Sequence, residues 1–188
     1  MTDSLDYDVV EGLMRSHYGA TVVTKDKSFL MKAISMFLLI ITFGGMRNFM
    51  TGFVTTIGKT VYVPSDWASR PPQGRAITLR HEMKHLEQER RLGGLLYKFL
   101  YVFVFLPGGL AYYRAKFEKE GYAETMRGSA QAYGVDVLKS DKFKANIIGH
   151  FISAEYFWMW PFKKSMERWY DATATSIVEE LRNSARVS

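Results

Sequence analysis

The sequence predicts a single, mainly helical α+β domain, and three observations lead there. Apolar residues recur at helical spacing along most long segments. One short stretch, 53–63, has two β-branched runs separated by a two-residue turn, the pattern of a hairpin. No internal repeat and no low-complexity linker divides the 188 residues. A chain of that length buries a substantial core without staples, and this one contains no cysteine.

The elements follow in order. Asp3 to Tyr18 places Leu5, Val9, Leu13 and Met14 at helical spacing. Asp26 or Ser28 is suited to cap the apolar segment Phe29 to Phe43, which Gly44-Gly45 would end. Phe53 to Ile57 and Thr60 to Val63 form the hairpin around Gly58-Lys59, and Pro64 stops it. Arg70 to Gly74 reads as a loop. Arg75 to Leu92 reads as one helix, stopped by Gly93-Gly94. Another helix begins after Pro107-Gly108-Gly109 and runs to Tyr133-Gly134. The tail after Asp141 is expected to be helical, with a break near Pro161.

Composition narrows the function classes. Hydrophobic residues at 47% exclude a wholly disordered chain. The absence of cysteine excludes thiol catalysis, cysteine-based zinc fingers and iron–sulfur centres. Lys and Arg outnumber Asp and Glu by 25 to 19. These cations are scattered rather than laid out as a stripe, and no phosphate-binding loop is present, so nucleic acid is not an expected partner. The start MTDSLDYDVVEG is acidic and unlike a secretory signal. The apolar stretches Phe29–Phe43 and Phe99–Tyr113 are too short for a spanning helix. Both are read as core, and the expected location is cytoplasmic or peripheral to a membrane. The alternative is an apolar edge that meets an anionic bilayer surface. The dense aromatic run Tyr156 to Phe162 is likewise read as packing for the last helices.

One motif carries chemistry. Residues 81–85 read His-Glu-Met-Lys-His, inside the segment expected to be helical. Histidines at i and i+4 share one helix face, so both imidazoles can meet one Zn²⁺. Glu82 between them is placed to act as general base toward an activated water.

On these residues the chain resembles the zincin metallopeptidases. Gln88 and Arg91 stand where a metzincin would carry its glycine and third histidine, which excludes that subgroup. An aspzincin would need a downstream Asp, for which Asp136 is a faint match. Residues 120–124, Glu-Gly-Tyr-Ala-Glu, fit the E-x-x-x-[D/E] pattern of the gluzincin type. Tyr113, Phe117, Glu120, Gly121 and Glu124 follow one helical stripe, while Glu118 reads as a surface partner of Arg114. The resemblance therefore implies a minimal zincin-like fold, with a hairpin before the motif helix and a second metal-bearing helix. It implies zinc held by His81, His85 and Glu120, with Glu124 hydrogen-bonded to a ligating histidine. It further implies an extended peptide or protein substrate along Thr60–Val63. His150 and Tyr156 are candidates for stabilising the oxyanion. The expected activity is zinc-dependent endopeptidase cleavage. A non-proteolytic zinc protein at a membrane or in an assembly, and hydrolysis of another amide such as a cell-wall cross-link, are the alternatives.

Overall fold

The computed structural model describes residues 4–102, 112–153 and 159–187. The fold is α+β and mainly helical, with one three-stranded sheet. Its backbone gathers into two compact units, 1–91 and 92–188.

The first unit is built on the sheet. Helix α1 (Tyr7–Tyr18) starts where the Asp6 carboxylate accepts the backbone N–H groups of Asp8 and Val9. It ends at Gly19, whose φ of 62° few other residues would tolerate. Strand β1 (Thr21–Thr24) follows at once. A single turn at Lys25–Lys27 leads to α2 (Phe29–Ile41), which Ser28 caps through the Met31 N–H. A short helix α3 (Phe49–Gly52) precedes β2 (Thr55–Ile57) and β3 (Thr60–Val63). Gly58, with φ 57°, opens the two-residue turn between them, as a type II′ hairpin requires. The order is β1-β3-β2, with β1 parallel and β2 antiparallel to β3.

That order corrects one expectation. Thr60–Val63 is the central strand and is paired on both sides, so it offers no edge to a substrate. The open edge beside the hairpin belongs to β2. Strand β1 was not expected. Its TVVT run is too short and too polar at its ends for periodicity to mark it, and pairing with β3 is what makes it a strand.

Helix α4 (Pro72–Leu92) begins earlier than the loop reading of Arg70–Gly74 allowed. Pro72 sits at the first helical position, where its missing N–H costs nothing. Ala76, Leu79, Met83 and Leu86 form one stripe of α4 and join Val61 and Val63 of β3 and Val10 and Met14 of α1 in the core. Arg80, in the same helix, is 1% exposed. A charged helix buried this deeply is more than a solvated face.

The second unit is helical throughout its described residues. Gly93, at φ 81°, separates α4 from α5 (Gly94–Val102). Helix α6 (Tyr112–Tyr133) ends at Gly134, and a turn at Val135–Lys139 leads to α7 (Asp141–Ile152). Helix α8 (Lys163–Val187) closes the chain. Met126, Ile147, Phe151, Met166 and Tyr170 lie in this unit's core. Charged pairs cross its helices at Lys144–Asp171, 2.6 Å, and Arg127–Glu180, 2.8 Å. The expected break near Pro161 is present, and the described part of the aromatic run is mixed. Met159 is buried, whereas Phe162 is exposed.

The other difference concerns the apolar segment 29–43. It forms a helix, as its composition suggests, but most of it lies outside the core. Met31 is buried, while Phe29, Met36, Phe37 and Ile40 are exposed. No described helix is long and apolar enough to cross a membrane. The expected break at Pro107-Gly108-Gly109 lies outside the described residues.

Candidate metal centre

Helix α4 carries two buried faces. At about 100° per residue, His81, His85 and Gln88 cluster on the side roughly opposite the core stripe of Leu79, Met83 and Leu86. Glu82 falls on the flank between them. All four are buried, with His81 9%, Glu82 7%, His85 6% and Gln88 1% exposed.

The histidines converge. Their Nε2 atoms are 3.2 Å apart, with the rings at 72° to one another. Two imidazole nitrogens bound tetrahedrally to one zinc at ~2.0–2.1 Å would sit about 3.3 Å apart. The other nitrogen of His85 is also engaged: Nδ1 lies 3.1 Å from Gln88 Oε1. With the amide oxygen accepting, the ring proton is on Nδ1 and the Nε2 lone pair points toward His81.

Glu118 of α6 supplies a carboxylate. One ligand atom from each of His81, His85 and Glu118 lies within 4.8 Å of the others, and this group could hold a metal ion. Among the described residues, no fourth His, Cys, Asp or Glu joins it. The donor set, two imidazoles and a carboxylate, suits zinc in type and number and leaves a coordination position open.

The group contains Glu118, which is 7% exposed, and not the expected Glu120, which is half-buried. The reason is helical phase. Glu118 lies about 60° from Gly121 around the helix, on the side that also carries Ser129, whereas Glu120 lies about 160° from Glu118. The stripe read from the sequence starts at Tyr113, and Tyr113 is 44% exposed. Gly121 was the better guide, because Glu118 and Glu124 flank it on either side. The reading of Glu118 as a surface residue is corrected by its burial.

Glu124 is 2% exposed, and its Oε2 accepts from Arg127 Nη1 at 2.9 Å. Arg127 continues to Glu180 of α8. Glu124 thus has an arginine partner within its own unit. His150 lies on α7, stacked on Tyr122 with ring centroids 4.9 Å apart. It is not part of the metal group. Tyr156 lies outside the described residues.

Glu82 has a partner that the sequence alone did not suggest. Thr56 Oγ1 of β2 donates to Glu82 Oε2 at 2.6 Å. This bond ties the general-base candidate to the open-edged strand. Nearby, Lys25 is fully buried, with Nζ donating to Phe49 O at 2.7 Å and 3.7 Å above the Phe49 ring. Burial pulls its ammonium down to about 8, against the opposing pull of the Glu82 charge. The chain matches no family model, no curated protein and no solved structure.

Proposed function

We propose that the chain is a zinc-dependent peptidase in which His81, His85 and Glu118 hold the metal and Glu82 is the general base. The observation that carries this reading is the approach of two Nε2 atoms to 3.2 Å on the helix that also bears Glu82, in a group with Glu118 that could hold a metal ion. A purely structural site has no need of a base between its ligands. When bound, zinc would polarise a scissile carbonyl and make a water acidic enough to react at neutral pH.

The chain's own residues would do the rest. Gln88, accepting from His85 Nδ1, would hold the tautomer whose Nε2 lone pair can bind a metal. Glu82 takes a proton from the attacking water and returns it to the leaving amine. Thr56 fixes one oxygen of that carboxylate. An extended peptide that adds to the open edge of β2 would be aligned by main-chain hydrogen bonds next to the strand that holds Glu82.

The test is zinc content and hydrolysis of an unfolded protein substrate by the full chain and three variants. About one zinc per chain is expected. Glu118→Gln should lose it and Glu120→Gln should keep it. Glu82→Gln should keep zinc and stop cleavage. Zinc retained by Glu118→Gln would overturn the ligand set, and cleavage by Glu82→Gln would overturn the mechanism.

A further inference from the structure

The apolar helix α2 and its flanks make a surface for which neither the core nor the metal centre has a use. Around α2 the inward side is Met31, Ile34, Ser35 and Leu38. The outward half-turn is apolar except for Lys32, with Phe29 86%, Phe37 61%, Ile40 65% and Met36 60% exposed. A helix apolar on nearly all sides is ordinarily buried. Just beyond its end, Phe43 is 99% exposed and has φ 48°. A phenylalanine in the left-handed region is a strained outlier, and this strain secures no burial for the ring among the described residues.

Charge decides between occupants. From Lys27 to Ser65 there is no Asp or Glu. Lys27 precedes the helix, Lys32 lies at the rim of its exposed arc, and Arg47 follows it, all three exposed. Cations at both ends of an apolar face, with no acid among them, complement lipid phosphates. Their stems can lie along the apolar surface while the charges reach the headgroups. The 13 residues of α2 span about 20 Å, less than the ~30 Å hydrocarbon core, so the helix would lie in the interface. Helix α5 has the same character by itself. Leu95, Leu96 and Phe99 are exposed, and no acid occurs between Arg90 and Phe117.

We propose that α2, with Phe43, is a membrane-docking element that lies in the surface of an anionic bilayer, with Phe29, Phe37, Ile40 and Phe43 in the acyl boundary and Lys27, Lys32 and Arg47 at the phosphates. This inference stands apart from the metal centre. A protein that binds no zinc could still dock, and the test reads no activity.

The experiment is co-sedimentation of the full chain with phosphatidylcholine vesicles, with and without phosphatidylserine. Since the chain has no cysteine, Ile40→Cys accepts a single environment-sensitive dye. Strong binding is expected only with phosphatidylserine, with a blue shift of that dye. The triple variant Lys27→Gln, Lys32→Gln, Arg47→Gln should bind on the order of a hundredfold more weakly. Phe37→Asp with Ile40→Asp should abolish binding, and exposed substitutions of this kind leave the core intact. Phe162→Asp, at an exposed apolar site just before α8, should bind as wild type. No binding to either vesicle, binding unchanged in Phe37→Asp/Ile40→Asp, or an unshifted dye would overturn the proposal. Concentration-dependent self-association that Phe37→Asp/Ile40→Asp removes, without vesicle binding, would assign the face to a second copy and overturn it equally.

Discussion

Replacing Gln88 by leucine should weaken zinc binding without removing a ligand. Gln88 is 1% exposed, and its Oε1 is 3.1 Å from His85 Nδ1. Leucine fills similar space and offers no acceptor. His85 then keeps a buried Nδ1–H without this partner, or shifts the proton to Nε2, the atom that must bind metal. Loss of such a supporting contact costs typically 10- to 100-fold in metal affinity, or about 1.4–2.7 kcal/mol. The assay is competition for zinc against a fluorescent chelator, with wild type beside Gln88→Leu and Gln88→Glu. The glutamate retains an acceptor and makes it anionic, so its affinity should equal or exceed that of wild type. If Gln88→Leu binds zinc as tightly as wild type, the Nδ1 contact does not set the tautomer and the orientation argument fails. If both variants lose zinc alike, Gln88 supports the helix rather than the ligand.

Three further outcomes are expected. Thr56→Val should leave zinc content unchanged and lower hydrolysis about tenfold or more, since hydrogen bonds to charged groups contribute about 1.5–3 kcal/mol. Thr56→Ser should restore the rate, and equal rates for Val and wild type would separate Thr56 from the reaction. Stability should rise with pH between about 8 and the normal lysine range. Lys25 titrates at about 8 in the fold, against 10.5 for an ordinary lysine, so the unfolded chain binds more protons throughout that window. The penalty for burying its charge is fully present below pH 8, and urea midpoints should show the rise in wild type but not in Lys25→Met. Finally, Tyr170 Oη donates to Leu138 O at 3.0 Å in the second unit's core. Tyr170→Phe should cost about 1–2 kcal/mol in urea unfolding, and a midpoint equal to wild type would show the bond to be neutral.

What could be read from the residues depended on how local the cause was. The hairpin rests on Gly58-Lys59, and the ends of α1, α4 and α6 on single glycines, so each was visible in a few letters. His81, Glu82 and His85 were visible because their spacing alone puts both histidines on one face. The third member of the group, a carboxylate, was not, because it depends on which face of α6 is buried. The aromatic stripe from Tyr113 pointed to Glu120, while burial centres near Gly121 and selects Glu118. The Thr56–Glu82 bond joins residues far apart in sequence, and no periodicity announces it. Nor does composition reveal that α2 faces outward, since the same letters make a core helix.

The parallel pairing of β1 with β3 bears on the order of assembly. Ile57 meets Thr60 across a two-residue turn, whereas Thr21 must find the same Thr60 across the whole of α2, α3 and β2. Closing that larger loop costs about 2 kcal/mol more in chain entropy than closing the hairpin. Long-range pairings of this kind form late, so β1 is the strand that docks last and detaches first. Amide exchange should therefore be fastest along Thr21–Thr24 within the sheet. An opening there would free the backbone next to Lys25 while leaving the β2–β3 pair, and with it the hold of Thr56 on Glu82, in place.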